Sequence, residues 1–299
     1  MAKSINIHQH DMSDFIGCRQ KFDLAFNKNI YPKVMSKHIN IGGLFARATY
    51  HLHRGQSLEW CQAQIALLED KLALTATNQQ NIDDLEIEKT TLICMLSGYD
   101  ELWMAEDNRG IKIVPECEIS VPIGRFRYVM TLDGKIQSPV KRDGNYILEI
   151  KTAAQLQANL VKTLPTNFQI KSYCWGLKEW THRPVIGILY RFIRKPTISK
   201  KQKETHDSFL KRLHNDYHER QDFYFYQEQF LLDQSILTDF EKELIQKFKD
   251  LEECYRTNRW YKNENQCVSR YGDCNYMTYC CNPTQETLNT FYKIGENNA

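Results

Sequence analysis

Tyr146-Ile147-Leu148-Glu149-Ile150-Lys151-Thr152 is the stretch from which the fold of this chain can be read. Aromatic and β-branched residues suit a buried strand, yet this run carries an acid and an amine two places apart. Burying an ion in apolar surroundings is strongly disfavoured, so a strand that keeps both uses them as a site. Side chains alternate along a strand: Ile147, Glu149 and Lys151 share one face, and Tyr146, Leu148 and Ile150 the other. Carboxylate and ammonium therefore point into one space.

Upstream, Arg125-Phe126-Arg127-Tyr128-Val129-Met130-Thr131-Leu132-Asp133 reads as a strand with Phe126, Tyr128, Met130 and Leu132 on its core face and Asp133 on the other. Lys141-Arg142-Asp143-Gly144-Asn145 supplies turn chemistry between the two strands. A hairpin centred on that turn does not set Asp133 opposite Glu149, so convergence of the two acids requires Gly134 or Pro139 to interrupt the pairing. Two convergent carboxylates bind Mg²⁺ or Mn²⁺ through oxygen and leave positions for water and a phosphate oxygen. The chemistry suggested is metal-dependent cleavage of a phosphodiester. Lys151 would orient or deprotonate the attacking water, or act as a fixed donor to developing charge. For E-x-K alone, a structural ion pair at a strand end is the better account. An upstream Asp and a downstream Gln169-x-x-x-Tyr173, at i and i+4 on one face of a helix read from Asn167 to Trp180, turn the balance towards catalysis.

Asp133, Glu149-Ile150-Lys151 and Gln169 with Tyr173, in that order, resemble the RecB-like branch of the PD-(D/E)XK nucleases, which includes CRISPR-adaptation nucleases and many phage exonucleases. The resemblance implies an α/β, restriction-endonuclease-like core, with a mixed central sheet flanked by helices. It implies that Asp133, Glu149 and the backbone carbonyl of Ile150 hold Mg²⁺ or Mn²⁺, that Lys151 is catalytic, and that Gln169 and Tyr173 line the active site. Ile41-Gly42-Gly43-Leu44-Phe45-Ala46 resembles the start of a family helix that carries a metal-binding His four residues after a Gly. Counted from Gly42, that position is Ala46, and a methyl group cannot ligate a metal. The chain should then bind its catalytic ion more weakly or be inactive. His51 is rotated away from that position on a helix. His53 lies roughly 10 Å further along it, at ~1.5 Å per residue, and both read as surface or groove residues.

Ten cysteines in a chain without a recognisable signal peptide argue for free thiols in a reducing compartment, not a disulfide framework. Cys61, Cys94, Cys117, Cys174 and Cys254 fall in helical or strand patterns and read as core filler. Cys267, Cys274 and Cys280 lie in a turn-rich segment with little else to hold it. Ser13 to Phe22, around Cys18, resembles the first-cysteine segment of the iron–sulfur members of the same nuclease branch. Cys18, Cys267, Cys274 and Cys280 thus fit a [4Fe–4S] cluster, with Zn²⁺ the competing ion and Cys281 the competing fourth ligand. Such a cluster would join the N- and C-terminal segments, closing a loop of nearly the whole chain.

At 299 residues, 42% hydrophobic and 25% charged, the chain can bury a full core, and its net charge of +2 excludes global basicity as the basis of DNA binding. Local clusters must serve instead: Arg191, Arg194 and Lys195, then Lys200, Lys201, Lys203, Lys211 and Arg212. Phe223, Tyr224, Phe225 and Tyr226 are candidates for base stacking, although a buried strand accounts for them better. The elements read as a helix on Leu58, Cys61, Ile65, Leu68 and Leu72; a polar loop from Thr75 to Asp84; a helix from Leu92 to Met104; strands at 112–123, 126–133, 146–152 and 185–193; and a long helix on Phe240, Leu244, Phe248, Leu251 and Tyr255. The organisation expected is an N-terminal helical region with the first cluster cysteine (1–110), a nuclease core (111–200) and a C-terminal helical region with three cluster cysteines (201–299). No run is long enough to span a membrane, and a cytoplasmic location is expected, the host cytoplasm if the source is viral. The function these features imply is a metal-dependent deoxyribonuclease acting on DNA ends or single strands, in phage recombination, repair or CRISPR-type adaptation. Two other readings compete: a catalytically impaired DNA-binding protein on the same scaffold, with Ala46 as its mark, and a zinc-stapled protein with no nucleic-acid role.

Overall fold

The computed structural model describes residues 4–33, 41–73, 79–110, 112–137, 144–155, 163–269 and 272–295. In chain order the strands are β1 (Ile5–His8), β2 (Ile30–Pro32), β3 (Lys112–Ile123), β4 (Phe126–Gln137), β5 (Asn145–Ala153), β6 (Val185–Arg194), β7 (Phe225–Leu231), β8 (Val268–Ser269), β9 (Gly272–Asp273) and β10 (Tyr292–Ile294). The helices are α1 (Gln9–Gly17), α2 (Arg19–Phe22), α3 (Ile41–His53), α4 (Leu58–Ala73), α5 (Gln79–Tyr99), α6 (Ala105–Gly110), α7 (Phe168–Thr181), α8 (His206–Glu219), α9 (Gln221–Tyr224), α10 (Gln234–Thr257), α11 (Met277–Cys281) and α12 (Gln285–Phe291). Five strands run in the spatial order β1-β4-β5-β6-β7, with β3 paired to β4 off this path. The pairing is mixed: β4 with β5 and β6 with β7 are antiparallel, whereas β5 with β6 is parallel. The architecture is α/β, a mixed sheet flanked by helices.

Contacts divide the chain into two compact units. One comprises Met1–Lys37, Ser120–Met130 and Leu237–Ala299, the other His38–Ile119 and Thr131–Ile236. In the first, β1 lies parallel to the start of β4, from Ile5 opposite Phe126 to His8 opposite Val129. Phe248, on the buried stripe of α10, meets the rings of Phe126 and Tyr128 at 5.6 and 5.3 Å. Leu237, Phe240, Leu244 and Leu251 complete that stripe at helical spacing. In the second unit, Phe45, Leu52, Leu92, Met95, Trp103, Leu213 and Phe225 form a core against Ile193 and Ile150, and Ile113, Ile136, Tyr146, Leu148 and Leu189 form another. Both faces of β5 and β6 are covered, which explains their near-continuous apolar sequence. Gly187 has to be a glycine here, since a Cβ would stand 2.2 Å from the Phe230 carbonyl oxygen of the paired strand.

The segment read as a polar loop up to Asp84 differs from expectation. From Gln79 it belongs to α5, and residues 74–78 lie outside those described. Polar residues free of Gly and Pro suit the solvated turn of a helix as well as they suit a loop. The helix expected from Leu92 to Met104 is the end of α5 followed by a π-helical turn at Asp100–Met104. Among the described residues no helix is long and apolar enough to cross a membrane.

Candidate functional site

The register of β4 against β5 brings the two acids together. Gly134 pairs with Leu148, Lys135 with Ile147 and Ile136 with Tyr146. The next step of this register sets Asp133 opposite Glu149 without an interruption at Gly134, contrary to the hairpin expected from the turn residues. The ladder is centred two residues earlier than that turn implies, and the connection carrying Pro139 and Lys141 to Asp143 lies outside the described residues. Where the ladder ends, the Ile150 N–H donates instead to the Asp133 carboxylate, Oδ2, at 2.8 Å. A side chain takes the place of a main-chain partner, and Asp133 is drawn to the Glu149-Ile150 peptide.

Glu149 is only 1% exposed, and neither of its carboxylate oxygens receives a hydrogen bond among the described residues. The Lys151 ammonium stands 2.6 Å from Oε1 as an ion pair. Burial, followed by the neighbouring Asp133 charge, pushes the Glu149 carboxyl up to about 7, against the pull of Lys151. Burial also raises Asp133, opposed by the Ile150 N–H and by Lys151. The two acids titrate as a pair. For Lys151, burial lowers the pKa, but the carboxylates of Glu149 and Asp133 outweigh it and hold the amine above its ordinary value.

Helix α7 supplies the rest. Asn167 caps it, accepting from the Gln169 and Ile170 N–H groups at 2.9 and 3.3 Å, and the left-handed His182 ends it. Lys151 Nζ donates to Gln169 Oε1 at 3.0 Å, and Gln169 Nε2 donates to the Tyr173 hydroxyl at 2.8 Å. All five side chains anticipated from the sequence, Asp133, Glu149, Lys151, Gln169 and Tyr173, therefore converge. Two further residues join them. Cys174 and Tyr190 are fully buried, burial raises the pKa of each, and the Glu149 carboxylate adds to it. Aligning β6 beside β5 as a parallel partner would have found Tyr190.

Two assignments need correction. Arg191 does not face a nucleic acid. Its side chain is 1% exposed and makes a bidentate pair with Asp107 at 2.6 and 2.7 Å, with further donation to the Tyr99 hydroxyl at 2.9 Å and Gln227 at 2.7 Å. An arginine in an apolar strand is buried if an acid meets it, and Asp107 is too distant in sequence to signal that. His53 is not a surface residue either: its side chain is 4% exposed, and Nε2 lies 2.8 Å from the Tyr99 hydroxyl. Arg191 already donates to that hydroxyl, and a neutral imidazole would accept the Tyr99 proton at Nε2. Burial first, then Arg191, lowers the His53 pKa to about 4, although Asp107 opposes the shift. Ala46 is half-buried on α3, which packs against β5. Lys200, Lys201, Lys203 and Lys211 are exposed, whereas Arg212 is tied to Glu204 at 2.7 Å. Of the aromatic run, Tyr224 and Phe225 are buried in the core.

The cysteine segments lie in the other unit. Cys18, Cys267, Cys274 and Cys280 line one cavity of about 330 Å³. The β8–β9 hairpin is closed by the Cys274 N–H donating to the Cys267 carbonyl at 2.8 Å. Asn263 clasps the N-terminal segment: its N–H points to the Cys18 sulfur at 3.4 Å and its Nδ2 donates to the Gly17 carbonyl at 2.8 Å. Burial raises Cys280, and the other three thiols add to it against the pull of Lys262. Among the described residues no three His, Cys, Asp or Glu side chains already stand at metal-binding spacing. A larger cleft of about 530 Å³ beside Cys18 is lined by Arg19, Lys247, Lys262 and Tyr261. No protein-family model matches this sequence, and no curated protein is similar enough to count as a match.

Proposed function

We propose that this chain is a metal-dependent deoxyribonuclease of the RecB-like PD-(D/E)XK type, acting on DNA ends or single strands. The observation that carries the reading is the Glu149 carboxylate: buried, met by the Lys151 ammonium alone among the described residues, and sharing its space with Asp133. Desolvated acids of this kind are relieved by a cation. Asp133, Glu149 and the Ile150 carbonyl would hold Mg²⁺ or Mn²⁺, which would activate water and offset charge on the phosphoryl oxygens. Lys151, raised above its ordinary pKa and held by Gln169, stays protonated at neutral pH. This supports the fixed-donor role over that of a base. Gln169, braced by Tyr173, sets the direction of the ammonium.

Cys18, Cys267, Cys274 and Cys280 would hold a [4Fe–4S] cluster, with Zn²⁺ as the alternative. The shared cavity and the Asn263 clasp support a staple between the chain ends. Lys247 and Lys262 offer the charge that a nucleic-acid strand uses, and exposed Tyr261 a ring, while Arg19 is already paired with Asp250 and stacked on Tyr261. A cytoplasmic setting belongs to the same proposal.

Ala46 favours a second reading, a DNA-binding protein that has lost catalysis. Mn²⁺-supported cleavage of labelled single-stranded DNA by the chain, by Ala46→His and by Lys151→Ala separates the two. Cleavage by the chain that Lys151→Ala abolishes supports the enzyme, activity only after Ala46→His marks a disabled one, and none in either favours a binding module. An absorbance band at about 400 nm after anaerobic purification, as iron–sulfur clusters give, with metal analysis, tells iron from zinc.

A further inference from the structure

Tyr190 on β6 is the register partner of Glu149 on β5. In a parallel pair such partners leave the sheet on the same face, side by side. Tyr190 is 0% exposed, and its hydroxyl has no hydrogen-bond partner among the described residues; neither does either oxygen of Glu149. A buried phenol normally finds a partner. Here a phenol without a partner and a carboxylate met only by the Lys151 ammonium, 2.6 Å from Oε1, stand on neighbouring strands in one buried space.

Packing alone does not explain the hydroxyl. Phe192, two residues along the same face and the register partner of Lys151, is equally buried and fills its place with a plain ring. Phenylalanine at position 190 would bury the same ring without stranding a polar atom. Tyr173, the other phenol of the site, accepts from Gln169 and so already has a partner, whereas the Tyr190 hydroxyl has none among the described residues.

Building on the nuclease reading above, we propose that Tyr190 is a positioning residue of the site. Its hydroxyl donates to an ordered water lodged between it and the Glu149 carboxylate, and so fixes that carboxylate in the orientation that holds the divalent ion. Buried water takes such places, where polar groups would otherwise lack partners. The phenol keeps its proton throughout, and the chemistry is left to Glu149, Asp133 and Lys151. Groups that orient a metal ligand in this way are typically worth about 10–100-fold in affinity.

The test is a Mn²⁺ titration followed by the electron paramagnetic resonance of the free ion, on the full chain, Tyr190→Phe and Glu149→Gln, with thermal unfolding of each metal-free protein. Tyr190→Phe should unfold no earlier than the parent yet bind Mn²⁺ about tenfold more weakly, and Glu149→Gln should abolish binding. Unchanged Mn²⁺ affinity in Tyr190→Phe, with binding lost in Glu149→Gln, overturns the role of Tyr190 and leaves the metal site standing. Affinity unchanged in both variants, or no binding by the parent, overturns the site and this proposal together. A high-resolution crystal structure of the metal-free protein gives an independent readout: a water between Tyr190 and Glu149 that is absent in Tyr190→Phe.

Discussion

Replacing Glu149 by Gln should make the metal-free protein more stable at alkaline pH while destroying its response to metal. The folded protein holds this carboxyl at about 7, against an ordinary value of 4.5. At ~1.36 kcal/mol per pH unit that gap is worth about 3 kcal/mol. The folded state binds the proton more tightly than the unfolded one. The group's contribution is therefore full below about 4.5 and is lost as pH rises through about 7. Above that point the fold carries a desolvated charge that the unfolded chain hydrates freely. Glutamine has the same shape and no charge to desolvate. The pull of Lys151 is already contained in the value of about 7, so losing that pair is not a separate cost. Glu149→Gln should therefore exceed the parent by about 3 kcal/mol at pH 8 and match it at pH 4.5. Urea unfolding of both proteins at the two pH values, with and without Mn²⁺ or Mg²⁺, measures this. Taking the difference between the proteins cancels titrating groups that do not interact with Glu149, and leaves the changed titration of Asp133 and Lys151 as part of the effect. The ion should raise the parent's stability by mass action and leave the variant unmoved. A parent more stable than Glu149→Gln at pH 8 without metal would refute the account, because the carboxylate would then be satisfied within the fold.

Three further outcomes follow from the same structure. His53, lowered to about 4 from 6.5 by burial, binds its proton less tightly folded than unfolded; its contribution of about 3 kcal/mol is present above pH 6.5 and lost as pH falls through about 4. His53→Gln should flatten the acid side of the stability profile between pH 5 and 7. Asp107→Asn strands the buried Arg191 guanidinium and should cost about 3–5 kcal/mol of unfolding free energy, most of it regained in Asp107→Asn combined with Arg191→Met. Cys280 lines the cavity shared with Cys18, Cys267 and Cys274, whereas Cys281 does not. Cys280→Ser should therefore lose bound iron or zinc on metal analysis, and Cys281→Ser should keep it.

Alternation alone placed Glu149 and Lys151 in one space, and the spacing of Gln169 and Tyr173 placed both on the helix that reaches Lys151. These are local periodicities, carried whole by a few consecutive residues. What the sequence concealed is long-range. The connection after β4 offers several turn-competent residues, so the register that sets Asp133 opposite Glu149 could not be chosen from turn chemistry. The partners of Arg191 are 36, 84 and 92 residues away in the chain, and nothing near the arginine announces them. Tyr190 is invisible until β5 and β6 are known to be parallel neighbours. The start of α5 at Gln79 was hidden for a different reason: its first turns carry polar side chains, which suit a loop as well as they suit a solvated helix.

Arg191 and Glu149 together supply an internal comparison. Both are ions at 1% exposure, on neighbouring strands and one register step apart, since Arg191 pairs with Ile150. They leave their strands on opposite faces. Every nitrogen of the arginine's guanidinium donates to a partner, two of them to a single carboxylate. It is a charge whose burial is complete and whose removal should weaken only the fold. Glu149 has a single ammonium beside it, 2.6 Å from Oε1, and no further donor among the described residues, and a second acid raises its cost further. The chain can therefore compensate a buried ion fully where the ion is structural, and next to that example it leaves one under-compensated. A divalent cation between Asp133 and Glu149 would turn the repulsion of the two acids into shared ligation. That is why the unsatisfied carboxylate, more than the motif around it, supports a metal site.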